Sequence, residues 1–158
     1  MSIQTLQGSL DATNLRIGVV VSRFNGFITE ELARGALEVL TKQGCRPENI
    51  RVVKVPGAWE LPVTAKHLAA SCDAIVAIGA VIRGDTPHFE YVAGGAAEGL
   101  NKVSVETGVP IAFGVLTTND MQQAMDRAGG KSGNKGAEAA EVAIELANLI
   151  RQLKNEGC

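Results

Sequence analysis

The apolar positions of the chain fall into four short runs that predict the strands of a buried sheet. Each run is rich in β-branched residues and almost continuously apolar, without alternation of polar and apolar positions. This pattern is typical of strands that are covered on both faces. The predicted strands are Ile17–Val21, Val52–Val55, Ile75–Val81 and Ile111–Leu116.

Apolar residues spaced three or four positions apart predict helices between these strands. Thr29 is the candidate cap of the first helix, which Gly44 ends. Gly108 and Pro110 end the third helix. The other predicted helices are Leu61–Cys72, Phe89 to about Thr107, a short helix over Asn119–Arg127 and a last helix from about Ala137 to Lys154.

Because strand and helix alternate four times, we expect an α/β fold. The expected arrangement is a three-layer α/β/α, flavodoxin-like one, with a four-stranded parallel sheet and helices on both faces. The length predicts a single domain over residues 1–158. Residues 1–15 are predicted to form an N-terminal arm, in which Ile3 and Leu6 are candidates for an edge strand on this subunit or a neighbouring one.

Composition and charge argue against several classes of protein. The 15 Lys and Arg residues against 17 Asp and Glu give a net charge of −2, whereas nucleic-acid-binding proteins carry a basic face. Cys45, Cys72 and Cys158 are odd in number and form no CxxC pair, so we expect no disulfide framework, no zinc site and a cytoplasmic location. The longest apolar run, Ala74–Ile82, is too short to cross a membrane, and no secretory signal pattern is visible.

The unusual residues of the chain follow the predicted strands. They form the segments Ser22–Gly26, Pro56–Glu60, Arg83–His88 and Thr117–Asn119. In open α/β sheets, ligands bind beyond the carboxyl ends of the strands. The sequence therefore predicts a binding site made by these four segments.

The segment Arg83–His88 has the features of an anion site that also moves protons. Gly84 allows close approach of the backbone, Thr86 offers a hydroxyl group, and the start of a helix attracts anions. Imidazole side chains can donate and accept protons under physiological conditions, which makes His88 a candidate proton donor and acceptor. In the alternative interpretation, Thr86 caps the helix, Pro87 is its first residue and His88 is an exposed helical histidine.

Two further features leave alternatives open. Phe24 and Trp59 either form a slot for a flat heterocycle or serve as packing residues. The tract Arg127–Gly136 holds three cations and four glycines, which suits a phosphate cradle or a flexible hinge. It is not a P-loop, because Met125 stands where that motif requires glycine.

Five motifs, taken together and in order, resemble one family. They are Ser-Arg-Phe-Asn at 22–25, Pro-Gly-Ala-Trp-Glu at 56–60, Gly-Ala-Val-Ile-Arg-Gly-Asp-Thr-Pro-His-Phe-Glu-Tyr at 79–91, Ala-Phe-Gly-Val-Leu-Thr-Thr at 112–118 and Arg-Ala-Gly-Gly-Lys-Ser-Gly-Asn-Lys-Gly at 127–136. From about residue 10 to the C-terminus, the chain resembles the 6,7-dimethyl-8-ribityllumazine synthase family of riboflavin biosynthesis. The motif at 79–91 is the most specific of the five.

The resemblance implies the condensation of 5-amino-6-(D-ribitylamino)uracil with 3,4-dihydroxy-2-butanone 4-phosphate. Phosphate and water are lost, and no metal or redox cofactor is needed. The resemblance also implies that Phe24 stacks on the pyrimidine and that His88 donates and accepts protons. Asp85 and Thr86 would meet the phosphate, with Arg127 as its main counter-charge.

The resemblance assigns further residues to the ring edge and the ribityl chain, namely Ala58, Trp59, Glu60, Ala80, Val81 and Ile82. Phe113 would reach the pyrimidine from the adjacent subunit, and Lys135 and Glu138 would lie near the same site. Trp59 stands where Tyr or Phe is frequent, and Asp85 stands where Glu or Gly is common. We therefore expect retained activity with altered affinity.

Members of the family form pentamers, decamers or sixty-subunit shells. The resemblance thus implies a homo-oligomer built from pentamers, up to an icosahedral capsid, with active sites between subunits and riboflavin synthase as a candidate partner. The Gly- and Ala-rich third helix would pack around a fivefold axis or serve as an ordinary core helix. Three alternatives to this enzyme remain: a non-catalytic flavin- or lumazine-binding protein, a structural shell protein and a riboflavin synthase.

Overall fold

Residues 2–156 are described by a computed structural model. Their regular elements alternate along the chain as the apolar pattern predicts. The strands are β1 Ile17–Ser22, β2 Ile50–Val55, β3 Ala74–Ile82, β4 Ile111–Thr118, β5 Ala128–Gly130 and β6 Gly133–Asn134. The α-helices are α1 Gly26–Lys42, α2 Leu61–Ala69, α3 His88–Thr107, α4 Met121–Arg127 and α5 Lys135–Asn155, and 3-10 turns precede β2 and α2.

The first four strands form one parallel sheet in the order β2-β1-β3-β4. Helices α1, α4 and α5 pack on one face of this sheet, and α2 and α3 pack on the other. The two central strands, β1 and β3, are buried along almost their whole length, as their continuous apolar runs require. The predicted three-layer α/β fold is confirmed.

The first helix begins earlier than its predicted cap. Its flanking residue is Asn25, whose backbone is left-handed with φ at 59°. Asn tolerates this conformation better than most residues, and here its Nδ2 donates to the carbonyl oxygen of Ala80 at 2.9 Å. Thr29 lies inside the helix, fully buried, and its backbone N–H donates to the carbonyl oxygen of Asn25. The prediction of Thr29 as the cap is therefore wrong.

Two other helix boundaries also differ from the predictions. No side chain caps α3, which begins at His88 directly after Pro87, so the interpretation of Thr86 as its cap is wrong. Helix α2 ends at Ala69, which places Cys72 outside it. The predicted end of α3 is confirmed, because Gly108 closes the helix with φ at 72°.

Within the tract Arg127–Gly136, β5 and β6 form a short antiparallel hairpin between α4 and α5. Gly129 and Gly133 have φ values of 101° and 83°, which suit glycine. Asn134 then caps α5, since its Oδ1 accepts the backbone N–H of Ala137 at 3.0 Å. This cap starts α5 two residues before the predicted boundary, at Lys135.

The N-terminal arm lies along α5 of its own chain. Nδ2 of Asn148 donates to the carbonyl oxygens of Ser9 and Asp11, at 2.8 and 2.9 Å. A Cβ atom at Gly8 would lie 1.9 Å from the carbonyl oxygen of Glu145, so the arm touches the helix backbone directly. No strand forms between residues 2 and 16, and Ile3 is 92% exposed. An edge strand on this subunit is therefore wrong, whereas one on a neighbouring subunit stays a prediction.

Cys45 and Cys72 are buried free thiols, and burial raises the pKa of both. Protonated thiols react slowly, so these two residues act as small packing groups. Cys158 lies outside the described residues. Within residues 2–156, no helix combines the length and the apolar character that crossing a membrane would take.

Candidate active site

A cleft of about 790 Å³ opens beyond the carboxyl ends of β1, β2 and β3, on the side of the sheet that carries α2 and α3. This is the edge at which an open α/β sheet binds its ligands, and the volume suits a small molecule. The cleft is lined by Phe24, Pro56, Gly57, Ala58, Trp59, Glu60, Ala80, Val81, Ile82, Gly84, Thr86, His88, Phe89, Tyr91 and Val92.

Backbone hydrogen bonds hold the floor of the cleft. The backbone N–H groups of Arg23 and Phe24 donate to the carbonyl oxygens of Val55 and Pro56, at 2.8 and 3.0 Å. The side chain of Asn25 joins the same loop to Ala80 at the end of β3. The three loops that follow β1, β2 and β3 are thus fixed relative to one another, with small buried side chains between them.

Three large aromatic side chains around the cleft are exposed. Phe24 is 70% exposed, Trp59 61% and Tyr91 72%. Exposed apolar groups gathered around a concave surface mark a binding site, because each of them gains when a ligand covers it. Together they favour the slot for a flat ring over the packing role for Phe24 and Trp59.

At its α3 end, the cleft is lined by Gly84, Thr86 and His88. His88 is the first residue of α3 and is exposed. The N-terminus of this 20-residue helix offers unpaired backbone N–H groups and the positive end of its dipole. Asp85 is exposed but does not line the cleft.

Arg83 anchors the loop that leads into α3. Its Nε donates to Oδ1 of Asn119 at 3.1 Å, its Nη1 pairs with the carboxylate of Glu90, and its guanidinium lies 4.3 Å from the ring centroid of Phe89. The hydrogen bond from Arg83 lowers the pKa of Glu90. Because these partners use the charge of Arg83, it acts as a structural link between α3 and the connection from β4 to α4.

Several predicted site residues lie away from the cleft of their own chain. Phe113 is 44% exposed on the edge strand β4, and Arg127 ends α4 with its Nη1 donating to the carbonyl oxygen of Gln123 at 2.9 Å. Lys135 and Glu138 pair with each other at 3.4 Å in the first turn of α5, across the sheet from α2 and α3. The chain thus gathers nine of the predicted residues: Phe24, Ala58, Trp59, Glu60, Ala80, Val81, Ile82, Thr86 and His88.

Sequence reasoning gave no site role to three residues of α3 that line the cleft, namely Phe89, Tyr91 and Val92. Tyr91 and Val92 follow His88 by three and four positions, so they lie on the same face of the helix as the histidine. That spacing from a candidate catalytic histidine was the available signal. The link between Arg83 and Asn119 left no such signal, because it joins positions that are distant in the sequence.

A second cleft, of about 650 Å³, lies between α1 and the edge strand β2. Arg34 lines it and pairs with Glu31 and Glu38 on its own helix, and these pairs raise the pKa of Arg34. Neither histidine nor any exposed aromatic ring lies in this cleft. The chemistry of the chain is therefore concentrated at the first cleft.

Comparison with known protein families identifies the family of the chain. The model of the 6,7-dimethyl-8-ribityllumazine synthase family matches residues 14–151. The chain belongs to the 6,7-dimethyl-8-ribityllumazine synthase family. Its function is lumazine synthesis in riboflavin biosynthesis, which makes it a transferase-type enzyme. The match spans β1 to α5, so it includes every loop that lines the cleft.

Proposed function

We propose that the cleft is one half of the lumazine synthase active site and that a neighbouring copy of the chain supplies the other half. The observation that carries this proposal is the charge of the cleft. Its lining residues include no Lys or Arg and one carboxylate, that of Glu60. A site for a phosphate ester needs a positive counter-charge, and Arg127 is the candidate that the family resemblance supplies.

The flat substrate, 5-amino-6-(D-ribitylamino)uracil, binds in the aromatic part of the cleft. Phe24 stacks on the pyrimidine, and Phe113 of the neighbouring copy reaches the same ring. The segments 58–60 and 80–82 hold the ring edge and the ribityl chain. The exposure of Phe24 and the small buried residues at the floor support this placement.

The phosphate of 3,4-dihydroxy-2-butanone 4-phosphate binds at the start of α3. Backbone N–H groups and the Thr86 hydroxyl donate to it, with Asp85 in the same turn, and the helix dipole favours its charge. The Arg127 guanidinium of the neighbouring copy matches the phosphate geometry with two parallel hydrogen bonds. Lys135 and Glu138 of that copy lie near this end of the site.

His88 serves the proton transfers of the reaction. The amine attacks the ketone and water leaves as the imine forms; phosphate then leaves, and ring closure releases water again. The two condensations move protons between nitrogen and oxygen, and the loss of phosphate also removes a proton from the neighbouring carbon; an imidazole can donate and accept the protons of all these steps. Holding both substrates side by side provides much of the remaining acceleration.

A shared site requires an assembly, so we propose a homo-oligomer built from pentamers, with an icosahedral capsid as its largest form. Exposed apolar side chains away from the cleft support this, among them Val63, Val105 and Val142, at 60%, 76% and 54% exposure. Each of these side chains gains free energy when a neighbouring subunit covers it. A cytoplasmic location and association with riboflavin synthase complete the proposal.

Steady-state kinetics of Arg127→Ala test the division of the site. We expect the KM for the butanone phosphate to rise roughly 10- to 100-fold, the value of a lost charge-assisted hydrogen bond, with the KM for the uracil substrate nearly unchanged. Arg46→Ala is the matched control, because Arg46 is exposed and precedes β2 at the opposite edge of the sheet. An unchanged KM for the butanone phosphate, or full activity of a monomer in light scattering, would contradict the proposal.

A further inference from the structure

The segment that carries Trp59 contacts α3 where the helix has no side chains. A Cβ atom at Gly95 would lie 2.4 Å from Cζ3 and 2.9 Å from Cε3 of Trp59. One turn further along, a Cβ atom at Gly99 would lie 2.7 Å from Cγ of Pro62. Both distances are below the closest approach of real Cβ atoms, so these contacts depend on the two glycines.

Gly95 lies on the face of α3 that lines the cleft. It follows His88 by seven positions, two helical turns or about 10 Å along the axis. Tyr91 and Val92 lie between them and line the same cleft. The helix thus carries the candidate proton donor at one point and the support for the Trp59 indole at another, which fixes the position of the indole relative to the imidazole.

We propose that Gly95 is a positioning residue for the uracil substrate. Because glycine has no side chain, the Trp59 indole packs directly against α3 and so keeps its place at the cleft wall. This rests on the proposed function, in which Trp59 contacts the ring edge and the ribityl chain. A methyl group at position 95 displaces the benzo ring of the indole by about 1 Å, the difference between the 2.4 Å approach and an ordinary contact. The phosphate end of the cleft precedes α3 and stays in place.

The consequence is a split between the two substrates. Gly95→Ala raises the KM for the uracil substrate roughly 3- to 10-fold, the value of a displaced aromatic contact, and leaves the KM for the butanone phosphate unchanged. The fluorescence emission of the enzyme shifts as well, because Trp59 is the single tryptophan of the chain. If Gly95 only stabilised the fold, Gly95→Ala would not shift the emission of Trp59 and would not raise the KM of one substrate selectively.

The matched control is Gly94→Ala. A Cβ atom at Gly94 meets nothing within 4 Å, whereas both substitutions place alanine at neighbouring interior positions of the same helix. Alanine favours the helix equally at both positions. Gly94→Ala therefore keeps both KM values and the wild-type emission, once light scattering has shown that the assembly is unchanged.

Trp59→Phe provides the second test. Phenylalanine has no atoms at the positions of Cε3, Cζ3 and Cη2, which are the three indole atoms nearest a Cβ at Gly95. In the Trp59→Phe background, Gly95→Ala has no further effect on the KM for the uracil substrate. Should Gly95→Ala alone fail to fold, folding of the double variant supports the proposal, and failure of both variants to fold overturns it.

Three other results would overturn the proposal, and they differ in what they say about the site. A Gly95→Ala enzyme with wild-type emission and wild-type KM values shows that the contact does not position Trp59. A KM defect that persists in the Trp59→Phe background shows that Gly95 acts through another residue. If the emission shifts but Trp59→Ala leaves the KM for the uracil substrate unchanged, then the ring contact in the proposed function has failed, and the positioning role of Gly95 falls with it.

Discussion

The two faces of the sheet are closed by different kinds of contact. On the face of α1 and α5, the closest contact between the two helices is backbone to backbone, because a Cβ atom at Gly136 would lie 2.0 Å from the carbonyl oxygen of Leu32, while a Cβ atom at Gly35 would meet the Asn134 side chain at 2.5 Å. On the face of α2 and α3, the close glycine contacts are with the side chains of Trp59 and Pro62. Main-chain atoms in a packed core cannot yield, whereas side chains at a rim adjust to a ligand. The active-site cleft therefore lies on the face of α2 and α3, where side chains make the close contacts with glycine.

The largest expected effect comes from adding one methyl group to the contact between α1 and α5. Gly136→Ala places a Cβ atom inside the contact distance of the Leu32 carbonyl oxygen, so α5 must move away from α1. We expect the free energy of unfolding in urea to fall by roughly 3 kcal/mol or more. Gly26→Ala is the control in the first turn of α1, where a Cβ atom meets nothing within 4 Å. A change below that of the control would show that the α1 and α5 contact can yield.

A substitution in the cleft, on the face of α2 and α3, should reduce activity without reducing stability. His88→Ala removes the proton donor and acceptor, and we expect kcat to fall roughly 10²-fold. The free energy of unfolding should change by less than about 0.5 kcal/mol, because His88 is exposed. Stopped-flow detection of the lumazine chromophore measures the first quantity and urea unfolding the second. A wild-type kcat would remove His88 from the proposed mechanism.

A smaller effect is expected at Asp73, which precedes β3 at the amino end of the sheet and contacts α5. Asp73 accepts the backbone N–H of Arg16 at 2.7 Å and pairs with Arg151 of α5 at 3.2 Å. Burial alone would raise the pKa of Asp73, but the hydrogen bonds from Arg16 and the charges of Arg151 and Arg16 outweigh it, so that pKa is lowered. Asp73→Asn should cost about 1–2 kcal/mol at pH 7.

The acid dependence of the Asp73 contribution follows from the direction of its shift. A carboxylate whose folded pKa is lowered stabilises the fold fully above its unfolded pKa, about 3.9, and loses this contribution as the pH falls through the folded pKa. The stability difference between wild type and Asp73→Asn should therefore close below about pH 4. A difference that stayed constant down to pH 2 would contradict the ionic account.

The smallest expected effect is a gain in stability. Thr29 is fully buried in α1, and within residues 2–156 its Oγ1 has no hydrogen-bond partner. Thr29→Val keeps the shape and removes the hydroxyl group, so we expect a gain of about 1 kcal/mol in the free energy of unfolding. Thr41→Val, at an exposed position of the same helix, is the control and should change little. A loss of stability in Thr29→Val would show that the hydroxyl group is hydrogen-bonded in solution.

The same comparison explains how far the sequence predicts this molecule. Continuous apolar runs located the central strands β1 and β3, because strands buried on both faces need them. The expectation of burial on both faces is wrong for the edge strand β2, which is largely exposed. The start of α1 was not predictable, since the side chain of Asn25 contacts Ala80, which lies 55 positions away in the sequence. The role of Gly95 was not predictable either, because glycine contributes neither an apolar nor a polar side chain to the sequence pattern. Only the structure shows that the absence of a Cβ atom at Gly95 allows Trp59 to pack against α3.

The residues of the candidate site also fall into two groups, one that the sequence predicts and one that it does not. Residues that follow β1, β2 and β3 lie together because parallel strands end at one edge of the sheet, as topology predicts. The segment 117–119, which was predicted to join them, does not line the cleft. Phe113, Arg127, Lys135 and Glu138 lie away from that cleft in the single chain. Their roles depend on how two copies meet, which no local pattern in the sequence encodes.

Subunit mixing tests the central claim most directly. His88→Ala and Arg127→Ala chains are unfolded together in equal amounts, refolded and assayed, with each variant alone as the control. If a site joins the cleft of one chain to Arg127 of the next around a ring, about a quarter of the sites are intact and the mixture regains about a quarter of wild-type activity. A mixture no more active than the mean of the two separate variants would show that both residues serve the same chain and would contradict the shared site.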